Sequence, residues 1–454
     1  MNAYTSASRW SRVLLAAAIV AAPTVGGAQA PAPGAKIGLQ DAIEIALRQS
    51  VLVKQSENAV ASSTTGVSEA KNAFLPTLAL NTSSARSVGR AGTSSIGSSS
   101  SQSLNTGLSS SITVFNGMRN VNELRQAKLD VTASTSELTR ARQTAVYTVA
   151  SNYLTLATAE GQLAVQKENL TSLEAQEKQI QTQVKAGARS ISDLYQQQAT
   201  TAAARASVVS AERDVELARI ALIQTLQLDP RGSFDFVAPT VGDVSGNVPK
   251  YDLDSLLSHA FAARTDLAAE QTRVEAAAVG TKAAAASRLP TVALNTSYNA
   301  TYNSSAAAAL GSQLDQNRGG SLSLAVSVPI FDRGATSTAV QQARIQEDNA
   351  RLALADQRQS VALDVRRAWL TLESTRQQLS VALAQQKAAD LAVSTTQARY
   401  QVGTSSLLEL TQARASQLQA NVAVVNARNA LAFQNALLPY YTGELDPAKV
   451  LLQS

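Results

Sequence analysis

The stretch Leu75-Pro76-Thr77-Leu78-Ala79-Leu80-Asn81-Thr82-Ser83 returns as Leu289-Pro290-Thr291-Val292-Ala293-Leu294-Asn295-Thr296-Ser297, eight identities in nine at a shift of 214. Self-similarity on this scale marks a structural unit used twice. The same shift aligns Leu39 with Leu253, Ala46 with Ala260, Val60 with Val274 and Gly66 with Gly280. Farther on the shift becomes 216, pairing Phe115 with Phe331, Val149 with Val365, Tyr153 with Trp369, Gly187 with Gly403 and Leu194 with Leu410. The chain is a duplication of a unit of about 215 residues, and the two-residue slip falls in the loop between strands.

Within each unit the hydrophobic period changes twice. Residues 39–73 and 253–287 read as helices that Pro76 and Pro290 end. Next, Leu322, Leu324, Val326, Val328 and Ile330 alternate with Ser321, Ser323, Ala325, Ser327 and Pro329. A strict period of two puts one face in an apolar medium and the other in water. Leu78 and Leu80, then Leu104, Leu108, Ile112 and Val114, then Val292, Leu294, Tyr298 and Tyr302 repeat it more loosely. The predicted strands are 76–88, 102–115, 290–303 and 319–331, and the Gly/Ser-rich stretches 89–103 and 304–320 suit mobile loops. Phe74, Phe115 and Phe331 stand at strand ends, where an aromatic belt or packing beneath a barrel would use them.

After Gly117 and Gly334 a helical period returns, with Val146, Val149, Tyr153, Leu156 and Leu163, and Val365, Trp369, Leu372 and Leu379, at coiled-coil spacing. Predicted helices cover 118–186 and 190–228, then 335–402 and 404–437; the Pro/Gly-rich segment 229–250 reads as the linker between copies, and 439–454 as a C-terminal segment. The first repeat is thus 31–228 and the second 251–438. At ~1.5 Å rise per residue the long helix spans about 100 Å, and the two shorter ones roughly 58 and 52 Å. One long helix can therefore run beside two half-length helices stacked end to end. Tyr153 and Trp369 share one repeat position and read as helix-seam packing.

Composition excludes several function classes. In 454 residues there are 39 Lys+Arg, 34 Asp+Glu, one His, no Cys and 4% aromatics. Without Cys there is no disulfide framework, thiolate metal site or lipid-anchoring cysteine. His259 alone cannot build a histidine metal site or triad, so no cofactor, metal or enzymatic activity is expected. With 16% charged residues and no dense basic run, nucleic acid is not an expected partner. Arg9 and Arg12, the apolar run Val13–Val25 and the small residues Gly26 to Ala30 form a signal peptide over 1–30, cut after Ala28 or Ala30.

Four amphipathic strands cannot close a barrel, because the smallest need about eight. In lipid the open sheet edges would be unsatisfied, so copies must join: two chains supply 8 strands, three supply 12. The fold class is mainly α with membrane β: duplicated coiled-coil helices forming an α-helical tube, continued from a multi-chain transmembrane β-barrel with a wet, Ser/Thr/Asn-lined interior. A passive conduit fits this pattern. A secreted filament or adhesin subunit is the alternative, because such proteins also lack Cys, use long helices and are rich in Ala, Ser and Asn.

The helical reversals are Val184-Lys185-Ala186-Gly187-Ala188-Arg189-Ser190-Ile191-Ser192-Asp193-Leu194 and Tyr400-Gln401-Val402-Gly403-Thr404-Ser405-Ser406-Leu407-Leu408-Glu409-Leu410, and the corners are Val114-Phe115-Asn116-Gly117 and Ile330-Phe331-Asp332-Arg333-Gly334. With the duplicated order helix, two strands, long helix, Gly turn and shorter helix, the chain resembles the TolC-type outer-membrane efflux and secretion channels over essentially its whole mature length. The resemblance implies a homotrimer with a 12-stranded barrel in outer-membrane lipid and a periplasmic tunnel closed at its inner end. It also implies docking of a periplasmic adaptor and an inner-membrane pump, and export of drugs, small molecules or, by type I secretion, polypeptides.

Several tip residues carry two readings. Ser190 with Asp193 and Ser406 with Glu409 fit the S-x-x-[DE] capping box. Multiplied by the oligomer's symmetry, the same carboxylates would form an acidic ring at the tunnel's narrow end. The family commonly carries a second acidic residue and an Arg in the second tip; here Gln412 and Ser405 stand there, while Arg189 sits in the first tip. Tyr400 and Asp193 match positions that can hold the tips together. Gly187 and Gly403 read as positive-φ turns, and with Ala188, Ser190, Thr404 and Ser406 they form the expected adaptor-docking surface.

Overall fold

The computed structural model describes residues 36–90, 98–237 and 249–446. The expected signal peptide, the apex of the first strand loop, half of the linker and the last residues lie outside them. The element order is β1 (Lys36–Ile37), α1 (Leu39–Gln49), α2 (Val51–Asn72), β2 (Thr77–Arg90), β3 (Ser98–Asn116), α3 (Arg119–Lys185), α4 (Ile191–Thr225), β4 (Asp235–Phe236), α5 (Leu253–Ala263), α6 (Thr265–Ala285), β5 (Thr291–Asn303), α7 (Leu310–Gln316), β6 (Arg318–Ser327), α8 (Ala335–Gln401) and α9 (Leu407–Thr442).

The helical part is a wall four helices wide. Helices α3 and α8 are each 67 residues long. Near the strands α3 packs between α2 and α6, and α6 against α8; toward the tips α3 packs between α4 and α9, and α9 against α8. Side-chain hydrogen bonds join both halves of α3 to its neighbours, Ser134 to Ser63 on α2 and Asn152 to Thr225 on α4.

Five departures from the sequence expectation stand out. The expected loop over 89–103 is strand at both of its ends, β2 running to Arg90 and β3 starting at Ser98, because the backbone ladder continues through the serines. The helices expected over 39–73 and 253–287 are each broken once, at Ser50 and Arg264, where a single residue turns extended. These are equivalent positions in the two copies, and neither carries a Pro or Gly that would announce a break. At the second break the Arg264 side chain, 3% exposed, pairs with Asp266. Gly443 packs so tightly on Ala263 and Arg264 that a Cβ there would lie 2.8 Å from their backbone. Burial opposes Asp266 ionisation, but the hydrogen bond and charge of Arg264, with the charge of Arg140, outweigh it and hold its carboxyl below the ordinary range. Instead of a wholly loop-like 304–320, the second strand connection contains α7, stitched down by Gln313, whose side chain bonds both Asn303 backbone groups. Helix α9 does not stop at 437 but runs through Pro439 to Thr442. The last strand ends at Ser327, short of the expected 331, because Pro329 lacks the N–H a ladder needs.

Two apolar clusters mark the middle of the wall, one per copy. Ile43, Val149, Leu156 and Leu222 centre the first; Leu267, Val365, Leu372 and Leu431 centre the second. Tyr153 Oη donates to the Ile37 and Gly38 carbonyls at 2.8 and 3.0 Å, and Trp369 Nε1 to the Tyr251 carbonyl at 3.0 Å. The shared repeat position thus ties each long helix to the start of its own copy. The linker joins this layer: β4 pairs in parallel with β1, Phe236 beside Ile37.

The strands form one antiparallel sheet in the order β2-β3-β5-β6. Its register places Leu78, Leu80, Leu108, Ile112, Leu294, Tyr298, Leu322, Leu324 and Val326 on one face, and Asn81, Ser109, Ser111, Asn295, Ser297, Ser321 and Ser323 on the other. The polar face bonds across strands, for instance Ser111 to Asn295 at 2.8 Å and Ser297 to Ser321 at 2.9 Å. The apolar face is bare: Leu80 is 74% exposed, Leu322 73% and Leu324 64%. That exposed row of leucines makes the face a lipid-compatible surface; among the described residues no helix is long and apolar enough to cross a membrane. At the two strand-to-helix corners, consecutive left-handed residues turn the chain, Gly117 with Met118 and Arg333 with Gly334. A Cβ on Gly117 would meet the Ala286 carbonyl at 2.5 Å, so this corner requires glycine.

A charge on the lipid face is expected to disrupt assembly where one on the wet face does not. Leu324→Arg should cost about 2 kcal/mol or more of barrel stability and abolish the heat-modifiable oligomer band on gels, whereas Ser323→Arg should keep it.

Candidate functional site: the helix reversals

Both reversals close in the same way. Ala188 N bonds the Gln183 carbonyl at 2.8 Å and Gly187 N the Val184 carbonyl at 3.0 Å; Thr404 N bonds Arg399 at 2.9 Å and Gly403 N bonds Tyr400 at 3.2 Å. This is the Schellman closure, which requires a left-handed residue after the helix, and Gly187 and Gly403 supply it at φ 73° and 78°. No atom lies within 4 Å of either glycine's missing Cβ, so the backbone angle, not crowding, demands glycine. Gly187, Ala188, Ser190, Gly403, Thr404 and Ser406 are all exposed.

The two expected capping boxes differ. Ser406 Oγ accepts from Glu409 N at 3.2 Å, and the Glu409 carboxylate accepts from the hydroxyls of Ser405 and Ser406 and from the Ser406 backbone N–H, which completes the box. Ser190 Oγ instead accepts from Ser192 N, one residue short of the box. Ser405's hydroxyl first, then Ser406 and Arg399, outweigh an opposing desolvation and hold the exposed Glu409 carboxyl below its ordinary value. Gln412 is exposed one turn away, and Asp193 is half-buried.

Across the two hairpins the contact runs through Arg189. Its guanidinium donates to the Tyr400 carbonyl at 2.9 Å and lies 4.0 Å over the Tyr400 ring. Tyr400 is buried with Ile180, Leu407 and Leu410, and burial pushes its phenol up, partly offset by Arg189. No hydrogen bond joins Tyr400 to Asp193 within the chain; the Tyr400 hydroxyl has no partner. Sequence reasoning missed Arg414, which donates to Ser172 Oγ on α3 and Gln397 Oε1 on α8, both at 3.1 Å. Its one signal is isolation, since no other Lys or Arg stands between Gly403 and Arg428. Among the described residues no group of His, Asp or Glu could hold a metal ion.

Bare amphipathic sheet, long helices and glycine reversals, each built twice, coincide with a family match. The model of the outer membrane efflux protein family matches residues 42–226 and 256–444, one segment per copy. The chain belongs to the outer membrane efflux protein family. It is 23% identical over 340 residues to the outer membrane efflux protein BepC of Brucella suis biovar 1 (strain 1330), covering 75% of this chain and 72% of that one. Its fold is similar to that of the Campylobacter jejuni CmeC outer membrane channel, with TM-score 0.76 at 17% identity over 91% of this chain and 88% of that one. It is also similar to the open state of the Neisseria gonorrhoeae MtrE outer membrane channel, with TM-score 0.73 at 23% identity over 90% of each chain. As a member of this family the protein is an outer-membrane exit duct for efflux, and nothing in these likenesses favours the filament or adhesin alternative.

Removing the Arg189 fork should loosen the tips. Arg189→Gln is expected to speed amide exchange at residues 184–194 and 399–410 roughly tenfold, the scale of one charge-assisted hydrogen bond, with exchange in the mid-wall clusters unchanged.

Proposed function

We propose that three copies of this chain close their sheets into a 12-stranded barrel, with strand β6 of each copy against β2 of the next. The observation that carries this is the bare apolar face of a sheet with two open edges. Because the sheet has an even number of strands, its first and last run in opposite directions, so the next copy continues the antiparallel alternation without a break. Three helical walls then make a tube extending into the periplasm, with the reversals at its inner end.

At that end Glu409 of each copy contributes to an acidic ring that favours cations, while Arg189 on Tyr400 braces the narrow state; Asp193 and Gln412 lie beside them. The exposed reversals, Gly187 with Ala188 and Ser190, and Gly403 with Thr404 and Ser406, receive the helical hairpin of a periplasmic adaptor. That adaptor links the duct to an inner-membrane pump, which supplies the energy. The duct itself is passive and conducts small molecules, drugs or polypeptides to the exterior.

Planar-bilayer conductance tests the ring. The wild-type channel should prefer cations, and Glu409→Gln should reduce that preference severalfold; unchanged selectivity would remove Glu409 from the gate. Since the Glu409 carboxyl is held below its ordinary value, the ionised form is the favoured one. The preference should therefore persist as pH falls to the usual glutamate range near ~4.3 and fade only below it.

A further inference from the structure

Between the two hairpins, just above the reversals, lies a cavity of about 430 Å³. Gln176 and Gln183 of α3, Arg189 of the first reversal, Tyr400 of α8 and Arg414 of α9 line it, so both hairpins contribute. It holds two guanidinium groups and no Asp or Glu side chain. Arg414 bonds only neutral oxygens, those of Ser172 and Gln397, and burial pushes its guanidinium down from the ordinary value with no acidic neighbour to counter it.

The polar groups around these cations are unfinished. Gln176 is 7% exposed and Tyr400 6%, yet the Gln176 amide oxygen and the Tyr400 hydroxyl have no hydrogen-bond partner, and neither has the Gln183 amide oxygen. Buried polar atoms in folded proteins are almost always satisfied. A half-turn of either amide swaps its oxygen for NH₂, and a phenol can donate. The site then offers two amides, one hydroxyl and the spare N–H groups of two guanidiniums. All of them donate, and the net charge is positive. A cation would be repelled, and a neutral ligand would leave the charge uncompensated.

We propose that this cavity is a binding site for a small oxyanion of the phosphate class, held by Arg414, Arg189, Tyr400 and the amides of Gln176 and Gln183. The guanidinium fork matches such oxygens geometrically. Because the site is built from both hairpins, the bound anion ties α3 to α8 and α9. On the gate reading above, it thereby favours the narrow state, whereas binding itself does not depend on that reading.

The test is calorimetric titration of the detergent-solubilised full chain with inorganic phosphate, ionic strength held constant with sodium chloride. Saturable binding at one site per chain is expected. Arg414→Gln should weaken it roughly tenfold or more, as loss of charged hydrogen bonds implies, and Gln176→Leu should weaken it without removing charge. Arg205→Gln, which breaks an exposed pair with Glu174 outside the cavity, should leave it unchanged. Absence of saturable binding, or wild-type affinity in both cavity variants, would overturn the proposal. If Arg414→Gln fails to assemble by size-exclusion chromatography, Gln176→Leu decides alone. Phosphate binding is read without conduction, so its failure is separable from failure of the Glu409 ring.

Discussion

Open backbone at the two edges of a four-stranded sheet governs this structure. The strands carry leucines and valines that lie bare on one side and serines and asparagines that bond one another on the other. Placed in hydrocarbon, such a sheet buries its apolar face, but each unpaired N–H or C=O along β2 and β6 costs several kcal/mol. Among the described residues no element of the same chain pairs with those edges. Association of copies is therefore a condition of entering the membrane, and the helical wall inherits the symmetry that the sheet imposes.

The wall is suited to that inheritance. Each copy stacks a long helix beside two half-length partners, so the wall keeps its width from the strands to the reversals. The clusters at mid-height, tied by Tyr153 to Ile37 and by Trp369 to Tyr251, fix how the halves meet. At the far end, apolar packing is reduced to a few residues around Tyr400, and polar contacts between hairpins carry a larger share of the cohesion. A low-stability end of this kind is where a gate can work.

Much of this was legible in the sequence because it rests on period. Alternation from Ser321 to Ile330, the glycines at 187 and 403, and the 214-residue shift each reflect a local backbone requirement that residue type announces. The breaks at Ser50 and Arg264 were not legible: no Pro or Gly marks them, and the second depends on Asp266 and on Gly443, 179 residues away. Helix α7 was hidden in a stretch of low complexity, because it is held by one glutamine's contacts with the backbone at the end of strand β5. Arg189 was recognisable as unusual, yet its seat on Tyr400, 211 residues later, depends on two hairpins meeting. Arg414 announced itself only by its isolation, and its contact with Ser172 depends on the same meeting of hairpins.

Native mass spectrometry of the full-length protein in detergent, with infrared measurement of its β-content, tests the central claim most directly. The account predicts a mass of three chains and loss of the β-signal whenever that assembly is dissociated. A single chain that keeps its β-structure in detergent would contradict it.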